Sequence, residues 1–93
     1  MDSKTLLKLD AEEVIRRIEE ILNIKLPEKI LEISLLPEDG ILYIKFKETL
    51  EKEIGEPVHP LIHIFKDEKG YITALEIIDL NKIMQAKTNT LKI

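Results

Sequence analysis

Apolar and polar positions alternate with two different periods along this chain, and each period marks its own elements. In "LDAEEVIRRIEEILNI", Val14, Ile15, Ile18, Ile21 and Leu22 recur at the i, i+4, i+7, i+8 spacing of one stripe. That is the pattern of a helix with a single buried face. Asp10 reads as its N-cap, Glu13 completes a capping box, and Leu9 with Val14 takes the two staple positions. Glu12–Arg16 and Glu13–Arg17 are i,i+4 pairs expected on the outward face. Pro27 bars any continuation.

From Leu31 the period becomes two. Leu31, Ile33 and Leu35 alternate with Glu32 and Ser34, and Leu42, Ile44 and Phe46 alternate with Tyr43 and Lys45. Pairing Leu36 with Ile41 across "PEDG" puts the six apolar residues on one face and Glu32 opposite Lys45. A slip of one residue would mix the faces. In "KETLEKEIGEPVHP" the pattern fits a helical turn through Leu50 and Ile54 as well as a short strand. Gly55, Pro57 and Pro60 exclude anything regular and long there. "LIHIF" and "YITALEII" then flank "DEKG" as a second hairpin. Asp79 can cap a short helix, "LNKIMQA", before the tail "KTNTLKI".

The second hairpin reads as apolar on both faces, with Ile62 and Ile64 on one side and Leu61 and Phe65 on the other. Leu75 and Ile77 likewise oppose Ile72, Ala74 and Ile78. A surface sheet ordinarily shows one polar face, and the single stripe of the first helix covers one side only. The other cover is expected from a second subunit, another protein, or the C-terminal helix. The expected fold is α+β: an N-terminal amphipathic helix on an antiparallel sheet of about four strands, in two hairpins, closed by a short C-terminal helix.

Composition narrows the function classes. Ninety-three residues make one small domain, and a chain without cysteine has neither disulfides nor thiolate zinc sites. A net charge of −4, with lysines scattered among glutamates, argues against nucleic acid. Few aromatics (Tyr43, Phe46, Phe65 and Tyr71) are available for base stacking. An acidic surface suits a basic protein partner instead. No apolar run reaches the roughly 20 residues of a membrane helix. "MDSKTLLKLDAEE" lacks the basic-then-apolar order of a secretory leader, so the expectation is cytoplasmic. The bias toward isoleucine, lysine and glutamate suggests a heat-adapted, thermophile source.

Two residues stand out as candidate chemistry. Glu76 lies among apolar strand residues, where an unpaired carboxylate would be costly. It is either a general base or partner anchor, or a carboxylate at a sheet end, solvated or paired. His63 is its companion candidate. If Lys66 pairs with Tyr71, His63 lies opposite Ala74 and diagonal to Glu76, within side-chain reach. If Gly70 forms a bulge after a type I turn, the pairing slips by one and His63 joins the face of Leu75. The hydrophobic pattern allows both. His59 and His63 on a strand are about 13 Å apart, too far for one ion, so no metal site is expected. Nothing indicates a cofactor: there is no Gly-rich phosphate loop and no recognisable nucleophile motif. Glu51, Glu53 and Glu56, with Tyr43 and Phe65, are the partner-binding candidates.

"PEDGILYIKF" and "DEKGYITALEIID" resemble the family catalogued as domain of unknown function 2283. Its members have a P-E turn leading into L-Y-I-[KR]-F, then D-E-x-G-x-I and a strand closing on [IL]-E-I-[IL]-D. Pro37, Glu38, Leu42, Tyr43 and Ile44 match the first part; Asp67, Glu68, Gly70, Ile72, Glu76, Ile77 and Asp79 match the second. Phe65 and Ala74 stand where the family commonly has an acidic residue and a glycine. The resemblance covers roughly residues 30 to 80, as a β meander. Residues 1–29 are then a helical addition, and 81–93 a short helix and tail. The resemblance implies a small antiparallel sheet and no reaction. Some members are encoded beside small basic toxin-like ribonucleases, which implies an antitoxin role for those. The functional expectation is a non-enzymatic protein-interaction module, homodimeric or bound to a basic partner. The alternative is a small enzyme using a His63/Glu76 pair in a dimer groove.

Overall fold

The computed structural model describes residues 3–84, with side chains from Ala11 onward. The fold is α+β, as expected. Helix α1 (Ser3–Leu22) is followed by β1 (Glu32–Leu36), β2 (Ile41–Lys45), β3 (Ile54–His59), β4 (Ile62–Lys66) and β5 (Ile72–Ile77). The strands form one antiparallel sheet in the order β1-β2-β5-β4-β3. β5 therefore sits at the centre, and joins the first hairpin to a β3-β4-β5 meander.

The helical stripe is buried as its spacing requires: Ala11, Val14 and Ile18 are enclosed, and Ile15, Ile21 and Leu22 pack at their margin. Its boundaries differ from the expectation. The helix starts at Ser3, so Asp10 lies inside it and is no cap. Leu6, Leu7, Lys8 and Leu9 are strong helix formers, and they carry the helix through Asp10. The Leu9–Val14 staple involves a side chain outside the described set. The stop comes at Asn23, four residues before Pro27, in the left-handed conformation with φ 56°. The Ile24 N–H then bonds the Glu19 carbonyl at 3.2 Å, closing the helix in a Schellman-type turn. The Glu19 carboxylate also accepts from the Leu26 N–H at 2.8 Å, pinning the chain as it leaves.

The first hairpin has the expected register, Glu32 opposite Lys45 through Leu36 opposite Ile41. Leu42, Ile44 and Phe46 are buried under α1, and Ile33 and Leu35 are half-buried beside them. Segment 47–58 resolves the helix-or-strand ambiguity with a fifth strand, β3, where about four had been expected. Pro57 is tolerated because β3 is an edge strand with only β4 to pair with. A register shift between Pro57 and His59 marks the irregularity.

The second hairpin follows neither single register considered from sequence. Asp67 and Tyr71 close the turn (Asp67 N–H to Tyr71 carbonyl, 3.0 Å), with Gly70 at φ 90°. That is a first shift of one residue. A bulge then inserts Thr73, so Lys66 faces Ile72 while Phe65 faces Ala74. That second shift restores the original parity. Ile62 and Ile64 thereby meet Ile77 and Leu75 in the core. Ile72, expected on the Glu76 face, instead packs against the core cluster.

The short C-terminal helix begins at Leu80, with Asp79 as its cap: the Asp79 carboxylate accepts from the Lys82 N–H at 3.2 Å. Ile83 is fully buried in the cluster that includes Val14 and Ile18, so this turn covers the same sheet face as α1. Residues 85–93, which include the expected tail, lie outside the described residues. Arg17, expected on the outward face, leans over this turn instead. It keeps its pairing with Glu13 at 3.1 Å and donates to the Met84 carbonyl at 2.6 Å. The Glu12–Arg16 pairing is not among the ion pairs of the described residues.

Asp67 locks the β4-β5 turn. One carboxylate oxygen accepts from the N–H groups of Lys69 and Tyr71 at 2.9 and 3.0 Å, and the other bonds the Lys47 ammonium at 2.9 Å. Lys47 chiefly, then those backbone donors, holds the Asp67 carboxyl below the usual carboxylate range. A depressed native pKa stabilises the fold above that range, and the gain is lost as pH falls through it. The stability difference between wild type and Asp67→Asn should therefore shrink between about pH 6 and pH 2, read by urea unfolding across that range. In the core, Leu75→Ala should cost about 2–5 kcal/mol at neutral pH. The fully exposed Leu50→Ala should stay within about 0.5 kcal/mol of wild type by the same measurement.

Candidate functional site

With α1 and the C-terminal turn on one side, no described element covers the opposite face of the sheet. Register assigns its residues in rows across all five strands. Ser34, Tyr43, Glu76, His63 and Pro57 form one row. Glu32, Lys45, Ala74, Phe65 and Gly55 form the next. This open face is more polar than the sequence pattern implied, because the Thr73 bulge sends Ile72 to the core side.

The two candidate residues meet here. His63 and Glu76 are direct cross-strand partners, with Nδ1 and Oε1 3.2 Å apart. Their side chains are 35% and 34% exposed, so a molecule in solution can reach both. A shallow hollow of about 260 Å³, lined by Gly55, Pro57, His63 and Phe65, opens beside them. With Nδ1 donating to the carboxylate, a neutral imidazole keeps Nε2 as an acceptor. Among the described residues the aliphatic hydroxyl of the same row, Ser34, lies three strand spacings from His63, about 14 Å, too far to serve as the nucleophile of a triad. His59 is apart from this pair, its Nδ1 accepting from the Leu61 N–H at 3.1 Å. Among the described residues no group of His, Asp and Glu side chains is placed to hold a metal ion.

The centre of the face is aromatic. Tyr43 and Phe65 meet edge to face, with centroids 6.3 Å apart and planes at 66°. Phe65 lies across Gly55 on the neighbouring strand, where an added Cβ would come within 3.0 Å of the ring. Gly55 thus lets the ring lie down on the sheet, and Ala74 beneath is fully covered. Burial is the main cause raising the Tyr43 pKa, followed by Glu53, with Glu32 and Glu48 adding and Lys45 opposing. Lys45 is itself paired with Glu48 at 2.8 Å. The phenol is therefore a neutral hydroxyl under ordinary conditions, bordered by carboxylates.

Glu53 is held to this border by the Thr73 hydroxyl, which donates to its carboxylate and lies 3.2 Å from the Phe65 carbonyl. The Thr73 carbonyl accepts from both Phe46 and Lys47 N–H groups, at 2.8 and 3.2 Å. The bulge thus joins β2, β4 and the 46–53 connection at one point. Sequence reasoning missed Thr73, and the signal available was slight: one threonine in an otherwise apolar strand. Of the partner-binding candidates, Tyr43, Phe65 and Glu53 come together. Glu56 does not: it follows Ile64 onto the α1 side and pairs with Lys66 at 3.1 Å. Glu51 is exposed on the connection, on the Lys47 side.

No protein-family model, no curated protein and no solved structure matches this chain. No helix of the described residues is long and apolar enough to cross a membrane.

Gly55→Ala should push the Phe65 ring off the sheet and break its edge contact with Tyr43. Nuclear Overhauser contacts between the two rings should disappear, while those between Ile64 and Leu75 persist.

Proposed function

We propose that this protein is a non-enzymatic protein-interaction module whose open sheet face takes a basic segment of a partner. The observation that carries this reading is the Tyr43–Phe65 pair set among Glu32, Glu48, Glu53 and Glu76, with Lys45 the cation of the same rows. An arginine or lysine gains twice on such a surface. Its charge meets carboxylates, and its stem and cationic head lie against aromatic faces. Exposed carboxylates speed and orient encounter with a cationic partner. The resemblance to domain of unknown function 2283 supports the same reading, and with it an antitoxin-like role in which the partner is a small basic protein. The expected setting is the cytoplasm.

A second reading has one observation in its favour, the 3.2 Å contact between His63 and Glu76. It makes the pair a general base in a small enzyme working at the neighbouring hollow. The aliphatic hydroxyl of the same row, Ser34, is about 14 Å from His63, which ranks this reading second.

An arginine-rich peptide titrated into the labelled protein should shift the resonances of Tyr43, Phe65 and Ala74, and the affinity should fall steeply with added salt. The double variant Glu53→Gln/Glu76→Gln should weaken binding at least tenfold. Shifts confined to the α1 side, or binding indifferent to salt, would rule out the open face.

A further inference from the structure

The two edges of the sheet are finished differently. β3 carries Gly55, Pro57 and a register shift before His59, with Glu53 and Glu56 alongside. Proline, irregularity and charge are the usual devices that keep an edge from pairing further. β1, with the sequence EISLL, has none of them except Glu32. Among the described residues it pairs with β2 alone, which leaves its outer row of backbone groups open to a further strand. Leu31 and Leu36 at its ends are 42% and 55% exposed. A hollow of about 300 Å³, lined by Glu12, Ile30, Leu31, Glu32 and Ile33, runs beside it.

We propose that β1 is the seam of a homodimer, two copies pairing antiparallel about a two-fold axis at Ser34. Two five-stranded sheets then become one sheet of ten. The occupant follows from the register. An axis at Ser34 pairs all five residues of the strand: Ser34 with Ser34, Ile33 with Leu35, and Glu32 with Leu36. No like charges meet across it. Ile33 and Leu35 lie on the core face in each copy, so the apolar layer runs unbroken through the seam. A one-residue slip would set Ile33 against Ser34 and mix the faces. The strand is thus complementary to itself, which is the condition for an isologous two-fold contact. Because the axis stands normal to the sheet, both helices fall on one side and both open faces on the other. The proposal goes beyond partner binding, since it assigns a second surface and supplies two copies of the first.

Sedimentation velocity at tens of micromolar should give a dimer. Ser34 is exposed, so Ser34→Lys should fold normally by circular dichroism. In it two lysines face each other across the axis, and the dimer dissociation constant should rise at least tenfold. Ser34→Glu should do the same, and mixing the two variants should restore a dimer. Ser34→Cys, in a chain with no other cysteine, should give a disulfide-linked pair under mild oxidation. A wild type that sediments as a monomer, or a dimer that Ser34→Lys leaves intact, overturns the proposal. Glu53→Gln/Glu76→Gln should remain dimeric, so loss of peptide binding and loss of the seam are read separately.

Discussion

Side chains alternate between the faces of a sheet, so the residue that β5 sets opposite Phe65 decides what reaches the core and what stays in water. Two departures from regular pairing settle it. The Asp67–Gly70 turn shifts the hairpin by one residue, and the Thr73 bulge shifts it by one more. Either alone would have put His63 on the face of Leu75, against α1, where its ring nitrogens would need partners among isoleucines. Together they deliver Leu75 and Ile77 to Ile64 and Ile62, and Glu76 to His63. Core and candidate site are thus two outcomes of one register.

The residues that hold that register are polar. Asp67 is 4% exposed and Thr73 fully buried, and both find partners inside the fold. Asp67 gathers two backbone donors and the Lys47 ammonium; Thr73 serves Phe65 and Glu53 through its hydroxyl, and Phe46 and Lys47 through its carbonyl. Buried polar groups that are satisfied in one arrangement and orphaned in its neighbours make a register specific. They also tie down the 46–53 connection, which has few apolar anchors: Leu50 is fully exposed.

The division of labour between the two faces follows. The side under α1 is aliphatic and closed. The other brings an aromatic pair, a His–Glu contact and several carboxylates to solvent on a rigid strand scaffold. Half-buried side chains held on paired strands have less freedom to lose on binding than side chains on loops, which is what the proposed recognition role requires.

Much of the architecture was legible in the residues. One helical stripe, one hairpin whose register follows from six apolar positions, a glycine at the end of each β turn and an aspartate cap at Asp79 were each readable locally. Propensity misled at Asp10, where good helix formers on both sides outweighed a capping residue; the helix ends before Pro27, as read, in a left-handed turn at Asn23. The pattern also made the second hairpin look apolar on both sides, because alternation is counted along a chain and a bulge resets the count. That reset, the descent of β3 to the edge as a fifth strand, and the gathering of Tyr43, Phe65 and Glu53 while Glu56 went elsewhere were decided by tertiary structure. Their cause is pairing between residues distant in sequence, where a buried threonine hydroxyl and a buried aspartate select among registers that hydrophobic spacing leaves equal.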